Sequence, residues 1–81
     1  MSASKIKKLI SEFNYEHDEN SYAEIRMFEK GISEEDKQEW EHLADLSEYR
    51  MFDIAEKIKK LKPSKYMMEK YSELDYILSF V

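Results

Sequence analysis

Eighty-one residues contain a single glycine, Gly31, and a single proline, Pro63. A sheet protein of this length needs several tight turns. Those turns draw on glycine and proline for backbone angles that most residues resist. Two punctuators allow few of them. Lysine, glutamate, leucine, alanine and methionine are frequent instead, and each favours helix. The chain is therefore predicted to be all-α, a small bundle of about four helices built on a long antiparallel helical hairpin. Residues 1–81 are expected to form one domain.

Ile6, Leu9, Ile10 and Phe13 recur at helical spacing and predict a first helix over residues 4–15. The polar run EHDEN that follows reads as a loop. A second helix is expected over residues 22–30, capped by Asn20 or Ser21, with Tyr22, Ile25, Phe28 and then Ile32 as its seam. Gly31 supplies the left-handed stop. Ser33 is a good N-cap, and Glu34, Glu35 and Asp36 place negative charge where a helix dipole favours it. A long helix over residues 34–61 follows, with Trp40, Ala44, Ser47, Met51, Ile54, Ile58 and Leu61 at alternating steps of four and three. Lys57, Lys59, Lys60 and Lys62 suit its C-terminal end. Pro63 stops it, and Ser64 can cap a last helix with Met67, Tyr71, Leu74, Leu78 and Val81 on its seam. The short connection predicts that these two helices form the hairpin, with the first two packing against it.

The phrase EIRMFE, from Glu24, returns as EYRMFD from Glu48. On the expected seams Phe28 faces the core and Met27 does not. In the second copy Met51 faces the core and Phe52 lies beside it. The same letters then occupy different environments, as a chance match would.

Several kinds of chemistry lack their residues. Without cysteine there are no disulfides, thiolate metal sites or cysteine nucleophiles. One glycine cannot build a phosphate-binding loop, and most serines stand where caps belong. Glu39 and His42 have the Glu-x-x-His spacing of carboxylate-bridged metal sites in bundles, but such sites need the motif twice, and it occurs once. No catalytic residue, metal or cofactor is expected. No apolar run approaches the ~18 residues of a membrane span, and the lysine-bearing start has no continuous apolar stretch of the secretory type. A cytoplasmic protein is expected.

The net charge of −5 disfavours direct binding to nucleic acid. The charge is unevenly placed. Residues 9–56 hold fifteen acids and four bases, net −11, while residues 57–70 hold six lysines and Glu69, net +5. Within the acidic stretch, Glu34, Glu41, Asp45, Glu48, Phe52 and Glu56 follow one another at steps of seven, four, three, four and four, along one face of the long helix. Like charges at these spacings repel. A row of carboxylates around one aromatic ring is what a partner with a basic surface would engage. The competing expectation is that the first helix, with Lys5, Lys7 and Lys8, packs over the row and neutralises it. At the other end of the chain, Tyr76 and Phe80 stand off the last seam and need covering by the first helix or by a second copy.

The functional expectation is a non-enzymatic helical binding module, an acidic inhibitor or regulator that docks on a basic surface of another protein. Small anti-defence proteins of phages, nuclease-immunity proteins and antitoxins work in this manner, with carboxylates standing where phosphates would. The alternative is a self-associating structural or regulatory module, a homodimer using Tyr76 and Phe80.

Overall fold

The computed structural model describes residues 2–81. Four helices follow one another: α1 (Ser2–Met27), α2 (Glu34–Lys60), α3 (Lys65–Lys70) and α4 (Glu73–Leu78). No strand occurs among the described residues. The molecule is a rod with extents of 48 × 18 × 18 Å. The all-α architecture and the hairpin follow the expectation, but the hairpin is made by a different pair of helices. It consists of α1 and α2, while the C-terminal segment is a cover of two short helices.

The correction begins at residues 16–20. No loop interrupts the N-terminal half, and α1 runs through the segment for 26 residues, roughly 39 Å at 1.5 Å per residue. Its inner positions are Ile6, Ile10, Phe13, Glu16, Asn20, Ala23 and Met27, at steps of three and four. Two of them are polar, which breaks the apolar rhythm in the sequence. Both find partners across the hairpin. The Asn20 amide donates from Nδ2 to the Ala44 carbonyl at 2.8 Å and to Ser47 Oγ at 3.2 Å. Glu16 faces Arg50, with Nη1 to Oε1 at 3.7 Å. No glycine or proline occurs before Gly31, so no residue there forces a break.

This register also corrects the expected Tyr22, Ile25, Phe28 seam. Because the inner line passes through Ala23 and Met27, Phe28 ends up outside, 77% exposed, and Ile25 is exposed as well. The repeat is corrected in turn. In both copies the methionine lies towards the partner helix and the phenylalanine lies outward. Each arginine also reaches across. Arg26 lies over the Trp40 ring on α2, and Arg50 pairs with Glu16 on α1. The likeness of the two phrases is that of two seam-edge positions on facing helices.

The turn and α2 follow the sequence closely. Gly31 takes φ 83°, the left-handed region that a Cβ disfavours. Ser33 caps α2 by accepting from the Asp36 N–H at 3.1 Å, above a first turn of Glu34, Glu35 and Asp36. Ala44, Ser47, Met51, Ile54 and Ile58 are buried as expected, with Trp40 and Leu61 half-buried. Ser64 caps α3 through the Met67 N–H at 3.2 Å.

The single last helix divides at Tyr71, whose backbone is extended at φ −111°, ψ 92°. The division turns Met67, Leu74 and Ile77 together onto the hairpin, so that Ile77 is a core residue and Val81 a peripheral one. The core formed in this way joins Ile6, Ile10 and Phe13 of α1, Met51, Ile54, Ala55 and Ile58 of α2, and these three C-terminal residues. All of it lies in the half of the rod remote from the turn. Towards the turn the hairpin continues as a two-helix arm held by Asn20, Ala23, Ala44 and Ser47, without a third layer.

Core and arm should differ in stability. Leu74→Ala should cost about 2–5 kcal/mol, since the side chain is fully buried among core residues. Phe28→Ser should stay within roughly 0.5 kcal/mol of the parent, as exposed substitutions do. Urea denaturation midpoints of the two variants check both values.

Candidate functional site

The acidic row lies on α2. Its members fall within about 40° of one line along the helix, while the core seam lies roughly 110° round from that line. Every member is exposed: Glu34, Glu41, Asp45, Glu48, Phe52 and Glu56. The first helix does not cover them. Lys5, Lys7 and Lys8 stand at the far end of α1 and pair with none of these carboxylates. The interhelical and intrahelical ion pairs go elsewhere, Arg50 to Glu16, Lys57 to Asp53 at 3.2 Å, and Arg26 to Glu29 at 3.2 Å. Among the described residues no cation lies within salt-bridge distance of the row.

The hairpin gathers four of the row's five carboxylates, Glu34, Glu41, Asp45 and Glu48, into one half of the molecule. The turn half, residues 16–48, holds twelve acids and three bases, net −9. The remainder holds six acids and ten bases, net +4. Lys57, Lys59 and Lys60 close the last turn of α2 at the opposite end of the rod from Glu34, Glu35 and Asp36. Helix α2 thus concentrates each sign where its own dipole is favourable. The antiparallel fold adds the acids of residues 16–29 to one end and the lysines of residues 5–8 to the other.

Phe52 sits where arm and core meet. It is 39% exposed, and its ring meets Phe80 edge-on at 5.5 Å. Between them is an open notch of about 280 Å³ lined by Tyr49, Phe52, Asp53, Glu56, Phe80 and Val81. Tyr49, largely exposed beside Glu48, belongs to this surface and was missed in the sequence. Its only signal was its place one residue from the row. Phe80 also meets Phe13 edge-on at 5.4 Å, and Tyr76 meets Phe13 at 6.2 Å and His17 at 5.8 Å. Phe80 is thus met by both long helices within the chain, while Tyr76 stays half exposed.

The remaining polar groups were not joined into reactive arrangements. His42 and Glu39 share an exposed hollow on α2 with Glu35, Gln38 and Leu43. Among the described residues no three or more histidines, aspartates and glutamates are grouped so as to hold a metal ion. Tyr15 on α1 has its phenol held above the ordinary value, first by its hydrogen bond to the Glu19 carboxylate and then by that group's charge. On α2 the arrangement sets exposed carboxylates beside a partly open aromatic ring.

No family model matches this chain, and neither does any curated protein or solved structure.

Because the row is open and self-repelling, Glu41→Lys combined with Asp45→Lys should leave the fold intact. Thermal melts should shift by no more than about 0.5 kcal/mol in stability, upward if anything as repulsion within the row is relieved. A loss of several kcal/mol in that melt would mean that the face is internal.

Proposed function

We propose that this chain is a non-enzymatic binding protein that docks the acidic face of its arm on a basic surface of another protein. The observation that carries the reading is the uncompensated row: five carboxylates on one exposed face of α2, none paired, around a half-open phenylalanine. A row of like charges is slightly unfavourable in the free protein. A lysine- or arginine-rich surface removes that cost and draws the arm in at long range.

The rod shape favours a channel or groove on the partner over a flat patch. The arm is only two helices thick, and the i, i+3 and i+4 steps put the Glu41, Asp45 and Glu48 carboxylates about 5–6 Å apart along it, with Glu34 and Glu56 two turns beyond on either side. A surface built to hold a nucleic-acid backbone offers cations in such a line. The proposed role is therefore inhibitory, an acidic helix standing in for phosphates, in the manner of phage anti-defence proteins, nuclease-immunity proteins or antitoxins. A cytoplasmic setting agrees with this role. No helix among the described residues is long and apolar enough to cross a membrane. Direct contact with nucleic acid is opposed by the same charge.

The partner is to be recovered by affinity capture from native cells at low salt, identified by mass spectrometry, purified and titrated. Association should weaken steeply as salt rises. Glu41→Lys with Asp45→Lys should weaken it strongly and flatten that salt dependence. Phe52→Ala should weaken it while leaving the salt slope largely unchanged, since it removes apolar contact rather than charge. Binding by the double variant equal to that of the parent protein would refute the acidic face as the docking surface.

A further inference from the structure

The hairpin has two broad sides, and only one is covered. α4 lies on the side of Phe52 and Phe13, which Phe80, just beyond its end, touches. Arg50 and Tyr15 are each two residues from those positions, about 200° round their helices, and so belong to the other side. There the groove between α1 and α2 is open. It forms two hollows, about 410 Å³ towards the core half and about 200 Å³ towards the arm, which share Tyr15, Glu16 and Arg50.

Three observations describe what this side lacks. Leu43 and Tyr15 line it while 47% and 63% exposed, beside half-buried Leu46 and Trp40. Glu16, only 9% exposed, lines both hollows, and its Oε2 is buried without a hydrogen-bond partner. Such an atom in a low-dielectric position costs free energy until a donor reaches it. Third, the arm is two helices thick, and nothing among the described residues covers the groove between them there.

We infer that this open side is the interface of an antiparallel homodimer, in which two hairpins pack face to face as a four-helix bundle. The occupant follows from charge. Of the charged residues lining the hollows, Arg50 and Glu16 pair with each other and Asp53 pairs with Lys57, while Lys8, Glu12 and Glu19 form no ion pair among the described residues. The lining thus carries both signs, and a second copy meets less repulsion there than two acidic rows would create. The −9 turn half and the +4 far half fix the orientation, because only the antiparallel arrangement sets each against its opposite. A two-fold axis then passes near Glu16 and Arg50, at the middle of the hairpin. Each Arg50, whose side chain is half exposed, then stands near the axis, close to the other copy's Glu16. A side 48 Å long and 18 Å wide is on the order of the ~800 Å² per partner that a stable interface buries. The interface is isologous, so it closes at two copies. The acidic row lies on the outside of this dimer, which therefore presents two docking faces.

Sedimentation equilibrium of the full chain, from micromolar to submillimolar concentration, should show twice the chain mass. Leu43→Glu places a charge at an already exposed position, so circular dichroism should stay helical while the mass falls to that of one chain. The natural chain is free of cysteine, so single cysteines report the geometry cleanly. Tyr15→Cys, near the axis, should form a disulfide-linked pair on mild oxidation, and Tyr66→Cys, on α3, should not. A monomer at all concentrations overturns the inference, and so does a dimer that survives Leu43→Glu or links through Tyr66→Cys instead. Glu41→Lys with Asp45→Lys should leave the dimer unchanged, which separates this interface from the docking face.

Discussion

The structure depends on a short polar layer inside the hairpin. Asn20 and Glu16 occupy inner positions of α1 where a purely apolar seam would have leucines. An amide in such a place is tolerable only with its partners present, and the Ala44 carbonyl and Ser47 hydroxyl supply them at 2.8 and 3.2 Å. The pairing works in one register only. Slipping α1 by a turn against α2 would strand the amide and leave Glu16 away from Arg50. Polar seam residues that fix register in this way are known from coiled coils, where they lower stability while selecting one alignment. The cost is visible here as well, in the Glu16 oxygen that lacks a partner within the chain.

Register decides where charge goes. With Asn20 opposite Ala44 and Ser47, the acids of residues 16–29 join those of residues 34–48 at the turn end, and Lys5, Lys7 and Lys8 of α1 join Lys57, Lys59 and Lys60 of α2 at the other. The core is confined to the second of these regions, where α3 and α4 close over Ile10, Phe13, Ala55 and Ile58. A division of labour results. One half of the rod supplies stability through apolar burial, and the other half is free to carry a surface that weakens the isolated molecule electrostatically. The proposed docking face and the proposed dimer side both lie partly on that second half, on opposite flanks of the same pair of helices.

Much of this was legible in the sequence where side-chain chemistry and position agreed. Ser33, the three acids after it, the alternating seam of α2 and the cap at Ser64 are local signals, and each appears as expected. The acidic row was legible because it needs only helical spacing. The continuity of α1 was not. Residues 16–20 are polar at the very positions that define an amphipathic stripe, and their partners lie 24–34 residues away, beyond any local pattern. That one misreading displaced the seam onto Ile25 and Phe28, reversed the reading of the EIRMFE phrase and assigned the hairpin to the wrong pair of helices. The break at Tyr71 was equally invisible, since neither glycine nor proline marks it. It is set by how Met67, Leu74 and Ile77 reach a surface made by the other two helices.

Hydrogen exchange across residues 16–23, followed by amide-resolved NMR, tests the polar layer most directly. If Asn20 and Glu16 hold α1 as one helix against α2, these amides will be protected well above unstructured rates. Asn20→Ala will then reduce their protection more than that of residues 6–13, which rest on the apolar core. Exchange at unstructured rates over residues 16–21 in the parent protein would mean that the segment is a loop after all. The arm, its register and the charge partition built on it would fall together.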